Sequence, residues 1–439
     1  MKNEKSMRLL AVFAALALIV AACGDGGGDG DADTTDAAGT AAPEGDLGAV
    51  TIAEGEPIEI AAIQAISGGV ASLGQDQVTA IEVAIEDRGE IKGHPIELTV
   101  EDGLCAAEGG TTAATNIVAD TQILGIIGTS CSGAGVPASQ IMSEAGLVMI
   151  SGSNTSPALT ALPYLSDEEL AAQENWQEGY FRTAHNDEFQ GAAAGQYAFD
   201  SGAQTAVTIH DGDPYTEGLV TQFGEFYEAA GGEVLLATAV NKGDTDMRPI
   251  LTEVAAAAPD ILFFPIFQPE ADFIVQQIGE FPELADTVLM GADGLLSDTF
   301  VTLAETEGMV FSGPAQAVGG AYEEFIGKYE AIAGTPPIQS FHAHAYDAAN
   351  MLLDAIDAVA QEDGGSLVVD RRALRDYLYD VEGFEGLTGT LSCNEFGDCA
   401  QPAIGIFENL DPSGGLVGVF ANIIDTINLA DQVDPEKLR

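Results

Sequence analysis

Five cysteines carry the widest range of possible chemistry in this sequence, because a cysteine can accept a lipid, bind a metal ion or form a disulfide. With Cys23 set aside near the N-terminus, the other four allow three pairings. Cys393 and Cys399 are six residues apart in a glycine-containing turn that a local disulfide could close, and Cys105 and Cys131 both follow strands predicted for one sheet. A four-thiolate metal site is the competing interpretation, but no CxxC spacing supports it.

Three alternating aspartates raise the question of a calcium site. Asp29, Asp31 and Asp33 occupy the first positions of a calcium-binding loop. Thr34 stands where that loop needs glycine, and Thr40 stands where it needs a bidentate glutamate. We therefore interpret these residues as a solvated linker.

The common catalytic and nucleotide-binding motifs are missing from the sequence. It contains no GxxxxGK[ST], GxSxG or HExxH pattern, and the glycine-rich stretch at 125–135 lacks the GxGxxG spacing of a dinucleotide site. His342 and His344 are two residues apart, so on a helix they diverge and are ordinary polar positions. These patterns predict a protein that is not an enzyme and that uses no cofactor and no metal ion.

The charge balance excludes one class of partner. The chain has 14 Lys and Arg against 70 Asp and Glu, which gives a formal net charge of −56. Such a chain repels nucleic acid and anionic lipid headgroups, so nucleic-acid binding is set aside. The excess of carboxylates is interpreted as a solvating surface.

The N-terminus has the pattern of an exported protein. Residues 1–22 combine a basic start, a short apolar run and small residues before Cys23, as in a lipoprotein signal peptide whose cysteine becomes lipidated. The alternative is an ordinary signal peptide followed by a free cysteine. Residues 23–56 lack apolar periodicity and predict a flexible acidic tether, and no later stretch is long enough to span a membrane.

Regular secondary structure is needed to hold candidate binding residues in place. From residue 57 onward, the chain has two series of alternating strands and helices. The first series predicts strands at 58–63, 96–102, 123–128 and 147–151 with helices between them. The second predicts strands at 205–211, 233–240, 260–267 and 287–294. This alternation predicts an α/β protein of two doubly wound, Rossmann-like lobes with parallel sheets. In such sheets ligands bind beyond the carboxyl ends of the strands.

Several phrases resemble the leucine/isoleucine/valine-binding protein family, the type I periplasmic binding proteins. They include IQAISGGVASLGQDQ, IIGTSCSGAGVPASQ, VTIHDGDPYTEGL and MGADGLLSD, within a resemblance that spans residues 57 to about 410. The resemblance implies two lobes joined by a hinge of three strands. It places lobe 1 at 57–184 and 316–390, lobe 2 at 185–315 and 391–425, and a C-terminal tail at 426–439.

The resemblance also implies the residues of lobe 1 that bind a ligand's carboxylate. Ser132 corresponds to the family's carboxylate-binding serine at a helix start, where unpaired N–H groups favour an anion. Ser132 could alternatively be only a helix cap. Ser153 corresponds to a backbone contact and Thr155 to a hydroxyl and amide contact. Cys105 and Cys131 correspond to a disulfide-bonded pair.

On lobe 2 the resemblance implies contacts to the rest of an amino acid. Tyr215 and Phe267 correspond to aromatic residues that close over the ligand, although Phe267 could instead be a core residue. Asp293 corresponds to the acidic residue that takes the α-ammonium group, and its alternative is a turn aspartate between glycines. Leu73 departs from the family, whose branched-chain binders carry a large aromatic there. Residues 164–178, which include Trp176, are an insertion of unknown role.

Together these observations predict a substrate-binding protein of an ABC importer that captures an amino acid, of branched-chain or related type, between its lobes. Its expected partners are the small-molecule ligand, the ABC permease subunits, and the membrane through the lipid anchor alone. We expect it at the outer face of the cytoplasmic membrane or in the periplasm. The alternatives are a ligand-sensing lipoprotein, a binder of amides, urea or small organic acids, and an enzyme on the same scaffold.

Overall fold

A computed structural model describes residues 46–160 and 175–428 of this protein. The predicted signal peptide at 1–22, the lipidation site Cys23 and the first part of the tether lie outside the described residues. So do most of the 164–178 insertion and residues 429–439 of the tail. In the described part of the chain, no helix combines the length and the apolar character needed to cross a membrane.

The described strands follow one another in chain order. They are β1 (Ala49–Ile52), β2 (Ile58–Gln64), β3 (Glu90–Ile91), β4 (His94–Asp102), β5 (Gly125–Gly128), β6 (Val148–Ser151), β7 (Tyr180–Arg182), β8 (Thr205–His210), β9 (Glu233–Ala239), β10 (Ile261–Phe263), β11 (Val288–Gly291), β12 (Val310–Pro314), β13 (Gln361–Asp363), β14 (Ser366–Asp370), β15 (Phe384–Gly386), β16 (Gly389–Leu391), β17 (Ala403–Glu408) and β18 (Ile423–Asn428).

The described α-helices lie between these strands. They are α1 (Ala71–Arg88), α2 (Ala107–Val118), α3 (Ser132–Glu144), α4 (Asp187–Asp200), α5 (Pro214–Ala230), α6 (Arg248–Ala257), α7 (Glu270–Ile278), α8 (Asp298–Val301), α9 (Gly320–Ala333), α10 (His342–Val359), α11 (Arg371–Tyr379) and α12 (Gly415–Ala421).

The first lobe is built on a six-stranded sheet in the order β3-β4-β2-β5-β6-β7, parallel except for the β3-β4 pair. The strands β2, β5 and β6 are short apolar runs buried on both faces, as expected where helices cover both sides of a parallel sheet. Helix α1 packs against α10, and α2 packs against α3. The predicted βαβ alternation is therefore confirmed for this lobe.

The second lobe repeats the plan in a seven-stranded sheet of order β18-β17-β12-β11-β10-β8-β9. Strands β8 to β12 are parallel to one another, whereas β17 and β18 are antiparallel additions at one edge. The strand predicted at 260–267 ends at Phe263 instead. Pro265 explains the difference, because it has no N–H to donate to a sheet ladder.

Both sheets place their first strand between the second and the third, as the orders β4-β2-β5 and β9-β8-β10 show. The strand order therefore reverses direction beside the first strand, at what is called a switch point. There, the loops at the carboxyl ends of two neighbouring strands run to opposite faces of the sheet, and a crevice forms between them. The crevices of the two lobes therefore identify where a ligand would bind, at the loops after β2 and β5 in one lobe and after β8 and β10 in the other.

Two strands correct the predicted domain limits. Strand β1 lies inside the predicted 23–56 tether, and it pairs antiparallel with β14 while Val50 and Ile52 are buried. The tether prediction is wrong for these residues. A segment of only four residues can pair with the edge of an existing sheet when its apolar side chains are buried there. Strand β18 likewise extends to Asn428, inside the predicted tail. The remaining lobe boundaries stay a proposal.

Both pairings considered from the sequence are present as disulfides. Cys105 and Cys131 are joined across 26 residues, and Cys393 and Cys399 close a loop of six. The first bridge ties the loop after β4 to the start of α3, and the second closes the segment that leads from the first lobe to β17.

Candidate functional site between the lobes

Five of the six predicted ligand-binding residues line one cavity between the lobes. Ser132 and Ser153 come from the first lobe, and Tyr215, Phe267 and Asp293 come from the second. The other lining residues are Leu73, Ser130, Cys131, Gly294 and Phe341. The cavity measures about 10 Å³, room for no more than a water molecule, so a larger solute enters only when the lobes separate.

Ser132 lies at the first turn of α3, and the cap position is occupied by Cys131. The cap interpretation of Ser132 is therefore wrong for its own helix. Its hydroxyl oxygen accepts a hydrogen bond from the backbone N–H of Ser156 (3.2 Å), which joins α3 to the loop after β6. A helix N-terminus at the cavity wall carries partial positive charge and suits a carboxylate.

The loop after β6 is held by a dense set of hydrogen bonds. The Ser153 hydroxyl donates to the carbonyl of Ser130 (2.8 Å) and accepts from the Gln77 amide (2.8 Å), so it is committed to the protein. Thr155 is buried but does not line the cavity, and its hydroxyl has no hydrogen-bond partner among the described residues. The Thr155 hydroxyl lies near enough to the Asp187 carboxylate to lower its pKa.

Asp293 sits at the carboxyl end of β11, buried and exposed to only 4%. Its Oδ1 accepts hydrogen bonds from the Gln190 amide (2.7 Å) and from the Tyr215 hydroxyl (2.9 Å). Burial raises the pKa of Asp293 to about 6, and these two hydrogen bonds act in the opposite direction. The turn interpretation of Asp293 is incomplete, because its side chain is fixed by donors from two helices.

A second carboxylate, Asp187, lies beside Asp293 and was not predicted from the sequence. It begins α4 and is fully buried, and neither of its oxygens makes a hydrogen bond of ordinary geometry in the described structure, although the nearby Thr155 hydroxyl lowers its pKa. Burial, followed by the charge of Asp293, raises the pKa of Asp187 well above its ordinary value. The signal available in the sequence was an acidic residue after the Asn186 cap, but the three-residue strand β7 before it is too short to be recognised.

His185 completes this acid cluster, which we define as His185, Asp187 and Asp293. Each of the three residues offers one atom that could coordinate a metal ion, and these three atoms all lie within 4.8 Å of one another. His185 Nε2 is hydrogen-bonded to the Gln190 carbonyl oxygen, and burial lowers the pKa of His185 to about 4, so the ring is neutral at pH 7. With Asp293 Oδ1 already accepting two hydrogen bonds, the cluster suits an ammonium group, which donates several N–H bonds, better than a metal ion.

An apolar wall completes the cavity. The rings of Tyr215 and Phe267 lie 5.2 Å apart between centroids, and a Cβ on Gly294 would come within 3.1 Å of the Phe267 ring, so a larger residue here would crowd both rings. Phe267 is thus both buried and part of the cavity wall. Leu73 and Phe341 face them from the first lobe, and Phe341 was not predicted from the sequence. The wall suits an apolar side chain.

Asp213 connects the two lobes at the cavity rim. Its Oδ1 caps its own helix through the Tyr215 N–H (3.0 Å) and also accepts from the Gly133 N–H of α3 (3.2 Å) in the other lobe. Lys242 donates to Oδ2 (3.0 Å). A Cβ at Gly133 would come within 2.4 Å of the Asp213 Oδ2, so the close approach of Asp213 to α3 depends on glycine at this position.

We expect Asp213→Ser to accelerate ligand dissociation about tenfold with little effect on association, because serine still caps α5 but is too short to reach Gly133. Stopped-flow measurement of both rates checks this. Lys242→Met is the control, since it removes the ion pair and keeps the bond between the lobes. Equal effects of the two substitutions would show that the ion pair, not the bond between lobes, holds the closed state.

Known proteins resemble this chain along most of its length. A family model described as "Periplasmic binding protein" matches residues 57–401. "Leu/Ile/Val-binding protein homolog 3" of Brucella melitensis is 28% identical over 371 residues, covering 82% of this chain and 93% of the relative. A "Leucine-, isoleucine-, valine-, threonine-, and alanine-binding protein" of Pseudomonas aeruginosa is 25% identical over 365 residues, covering 80% of this chain and 90% of the relative.

Solved structures share the fold. A leucine-binding protein of Thermotoga maritima superimposes with a TM-score of 0.73 at 24% identity, covering 85% of this chain and 99% of that one. A solute-binding protein of an ABC transporter from R. palustris, in complex with benzoate, gives a TM-score of 0.69 at 20% identity over 85% of this chain and 95% of that one. At this identity the likeness shows the fold alone.

Proposed function

This chain belongs to the periplasmic binding protein family, and from that premise we propose that it captures an α-amino acid with an apolar side chain between its lobes. The observation that carries the proposal is the acid cluster. Two carboxylates are buried side by side, and Asp187 has no hydrogen-bond partner among the described residues. A buried anion without a partner is costly, so the cluster favours a ligand that brings a cation.

The opposite wall of the cavity has the complementary charge. The N-terminus of α3 directs partial positive charge toward the space beside Ser132. One of its N–H groups, that of Gly133, donates to the Asp213 carboxylate while the lobes are closed. An α-amino acid carries its carboxylate and its ammonium group on one carbon atom. It would therefore join the first lobe, through its carboxylate, to the second lobe, through its ammonium group, and favour the closed state.

The side chain of the ligand would face Leu73, Phe341, Phe267 and Tyr215. These residues offer apolar surface, apart from the Tyr215 hydroxyl, which is committed to Asp293. Leucine, isoleucine and valine match this wall, and the Brucella and Pseudomonas relatives are named for binding such amino acids. No reacting group is needed for capture, and the protein acts by reversible binding rather than catalysis.

Delivery and location complete the proposal. The ligand would pass to the permease subunits of an ABC importer while Cys23, as a lipidated residue, anchors the protein to the outer face of the cytoplasmic membrane. A ligand-sensing lipoprotein would use the same two lobes. Disruption of this protein's own gene separates the two roles, because cellular uptake of the ligand is lost only if the protein is a transporter component.

A second candidate ligand class is a small aromatic acid, since one protein of the same fold was solved with benzoate. Benzoate would satisfy the α3 N-terminus but would leave the Asp187 and Asp293 carboxylates without a cation. The acid cluster therefore favours the amino acid over the benzoate class, and over urea and amides, which are uncharged.

A thermal-shift screen of the purified protein, freed of carried-over ligand, tests the proposal. We expect leucine, isoleucine or valine to raise the unfolding temperature, since a ligand at 100 times its dissociation constant stabilises by about 2.7 kcal/mol. A shortened protein must retain residues 49–52, because β1 belongs to the fold. Stabilisation by benzoate or urea without any amino acid would refute the assignment.

A further inference from the structure

The acid pair, defined as Asp187 and Asp293, has an excess of negative charge that its surroundings do not balance. The carboxylates are contributed by the start of α4 and by the loop after β11, and their oxygens lie within 4.8 Å of each other. Both side chains are buried. Two like charges this close in a buried site disfavour each other, so the pair favours holding a proton when no cation is bound.

The cations near the acid pair are committed elsewhere. Arg182 is the closest guanidinium, and it is bonded to Asp398 and to the backbone carbonyls of Asn154 (3.2 Å) and Ser156 (2.8 Å). Lys242 is paired with Asp213 (3.0 Å). The Thr155 hydroxyl and, to a smaller extent, Arg182 lower the pKa of Asp187, but both effects are smaller than the opposing effects of burial and of Asp293.

The remaining groups around the pair are neutral or anionic. From α4 itself come Gln190 and, just before the helix, the neutral ring of His185. Helix α5 contributes the Tyr215 hydroxyl, whose pKa is raised well above its ordinary value by burial, so it stays protonated. The Asp213 carboxylate, at the start of the same helix, adds a further negative charge that raises the pKa of Asp187. No neighbour on these elements supplies the missing positive charge.

We propose that ligand capture is coupled to the release of about one proton, because the ammonium group of the ligand takes the place of the proton held by Asp187 and Asp293. This inference rests on the proposed amino-acid function and adds its pH dependence. The carboxylic O–H bond of the pair breaks, its proton leaves to the solvent, and the ammonium group keeps its own protons and donates N–H bonds to both carboxylates.

The sign of the pH dependence follows from this exchange. The free protein holds a proton that the complex has lost, so affinity rises with pH. Burial and the charge of Asp293 raise the pKa of Asp187 well above its ordinary value, so the shared proton is assigned to Asp187. Where the pair holds one proton that the ligand displaces, the association constant rises about tenfold per pH unit, and it rises more steeply below about pH 6, where Asp293 also holds a proton. An amino acid keeps both of its charges throughout.

Isothermal titration calorimetry of the full chain tests the coupling, with leucine, isoleucine and valine each used as probe at pH 7. Titration in phosphate and in Tris, whose ionisation enthalpies differ, gives the number of protons released, for which we expect about one. The affinity measured between pH 6 and pH 7.5 gives the same number independently. Binding without proton release and without a pH slope would overturn the proposal while leaving the proposed function intact.

Asp187→Asn supplies the matched variant, because asparagine has nearly the same shape and cannot hold the exchangeable proton. We expect proton release near zero and a flat affinity profile above pH 6 in this variant. Asp272→Asn is the control, since Asp272 lies on α7 outside the pair and burial also raises its pKa, and it should retain the wild-type release. Unchanged release in Asp187→Asn overturns the proposal, and failure of all three amino acids to bind overturns both the proposed function and the coupling.

Discussion

Asp293→Ala is expected to weaken amino-acid binding by about two orders of magnitude, which corresponds to about 3 kcal/mol for the loss of one partner from a buried charge pair. The substitution removes the carboxylate that would face the ligand's ammonium group. It also removes the acceptor shared by the Gln190 amide and the Tyr215 hydroxyl, both of which are buried. Calorimetric titration with the amino acid that gives the largest thermal shift measures the loss.

Asp293→Asn separates charge from hydrogen bonding, because asparagine can still accept from Gln190 and Tyr215 but carries no charge. A loss nearly as large as that of alanine is expected if charge pairing with the ammonium group dominates. Asp272→Ala serves as the control on the same lobe. An affinity of Asp293→Ala within threefold of the wild type would remove Asp293 from the site.

Arg182→Met is expected to be the most destabilising single substitution among those considered, at about 3 kcal/mol or more, because it leaves the partner of a buried ion pair uncompensated. The Arg182 side chain is fully buried and its partner Asp398 is 15% exposed. The guanidinium also donates to the carbonyls of Asn154 and Ser156. These two carbonyls flank Thr155, so binding should weaken together with stability.

The midpoint of urea unfolding measures the effect of Arg182→Met on stability. Arg248→Met is the control, since Arg248 pairs with two carboxylates but is half exposed, and its loss should leave the midpoint unchanged. Equal midpoints for the wild type and Arg182→Met would show that the network around Arg182 does not stabilise the fold.

Much of the fold could be predicted from local pattern. The apolar runs at 58–63 and 205–211 appear as β2 and β8, each within one residue at its ends, and the helix expected between the strands at 123–128 and 147–151 is α3 at Ser132–Glu144. These elements are long or strongly periodic, so their side-chain pattern identifies them without knowledge of their neighbours. Elements that depend on neighbours were missed: β1 exists because the edge of β14 accepts it, and β7 has only three residues.

The candidate site likewise contains residues that could be predicted from the sequence and residues that could not. Ser132, Ser153, Tyr215, Phe267 and Asp293 follow strands, and the carboxyl ends of the parallel strands of one sheet meet at one edge, so the predicted topology brings together the residues within each lobe. Their assignment as ligand-binding residues came from the family resemblance. Phe341 was not identified, because it lies before a helix of the segment that returns to the first lobe and no strand precedes it directly. Its place in the cavity depends on how α10 packs against α1.

The sequence by itself determined the α/β class, the two lobes, the export pattern and the loops where a ligand would bind, because each follows from local periodicity, composition or chain order. Only the tertiary structure decided which charges meet. Asp187 joins Asp293 from another element of the chain, and Asp213 reaches Gly133 across 80 residues. The energy of such pairs depends on distance and burial in three dimensions, and residue type and spacing along the chain do not contain that information.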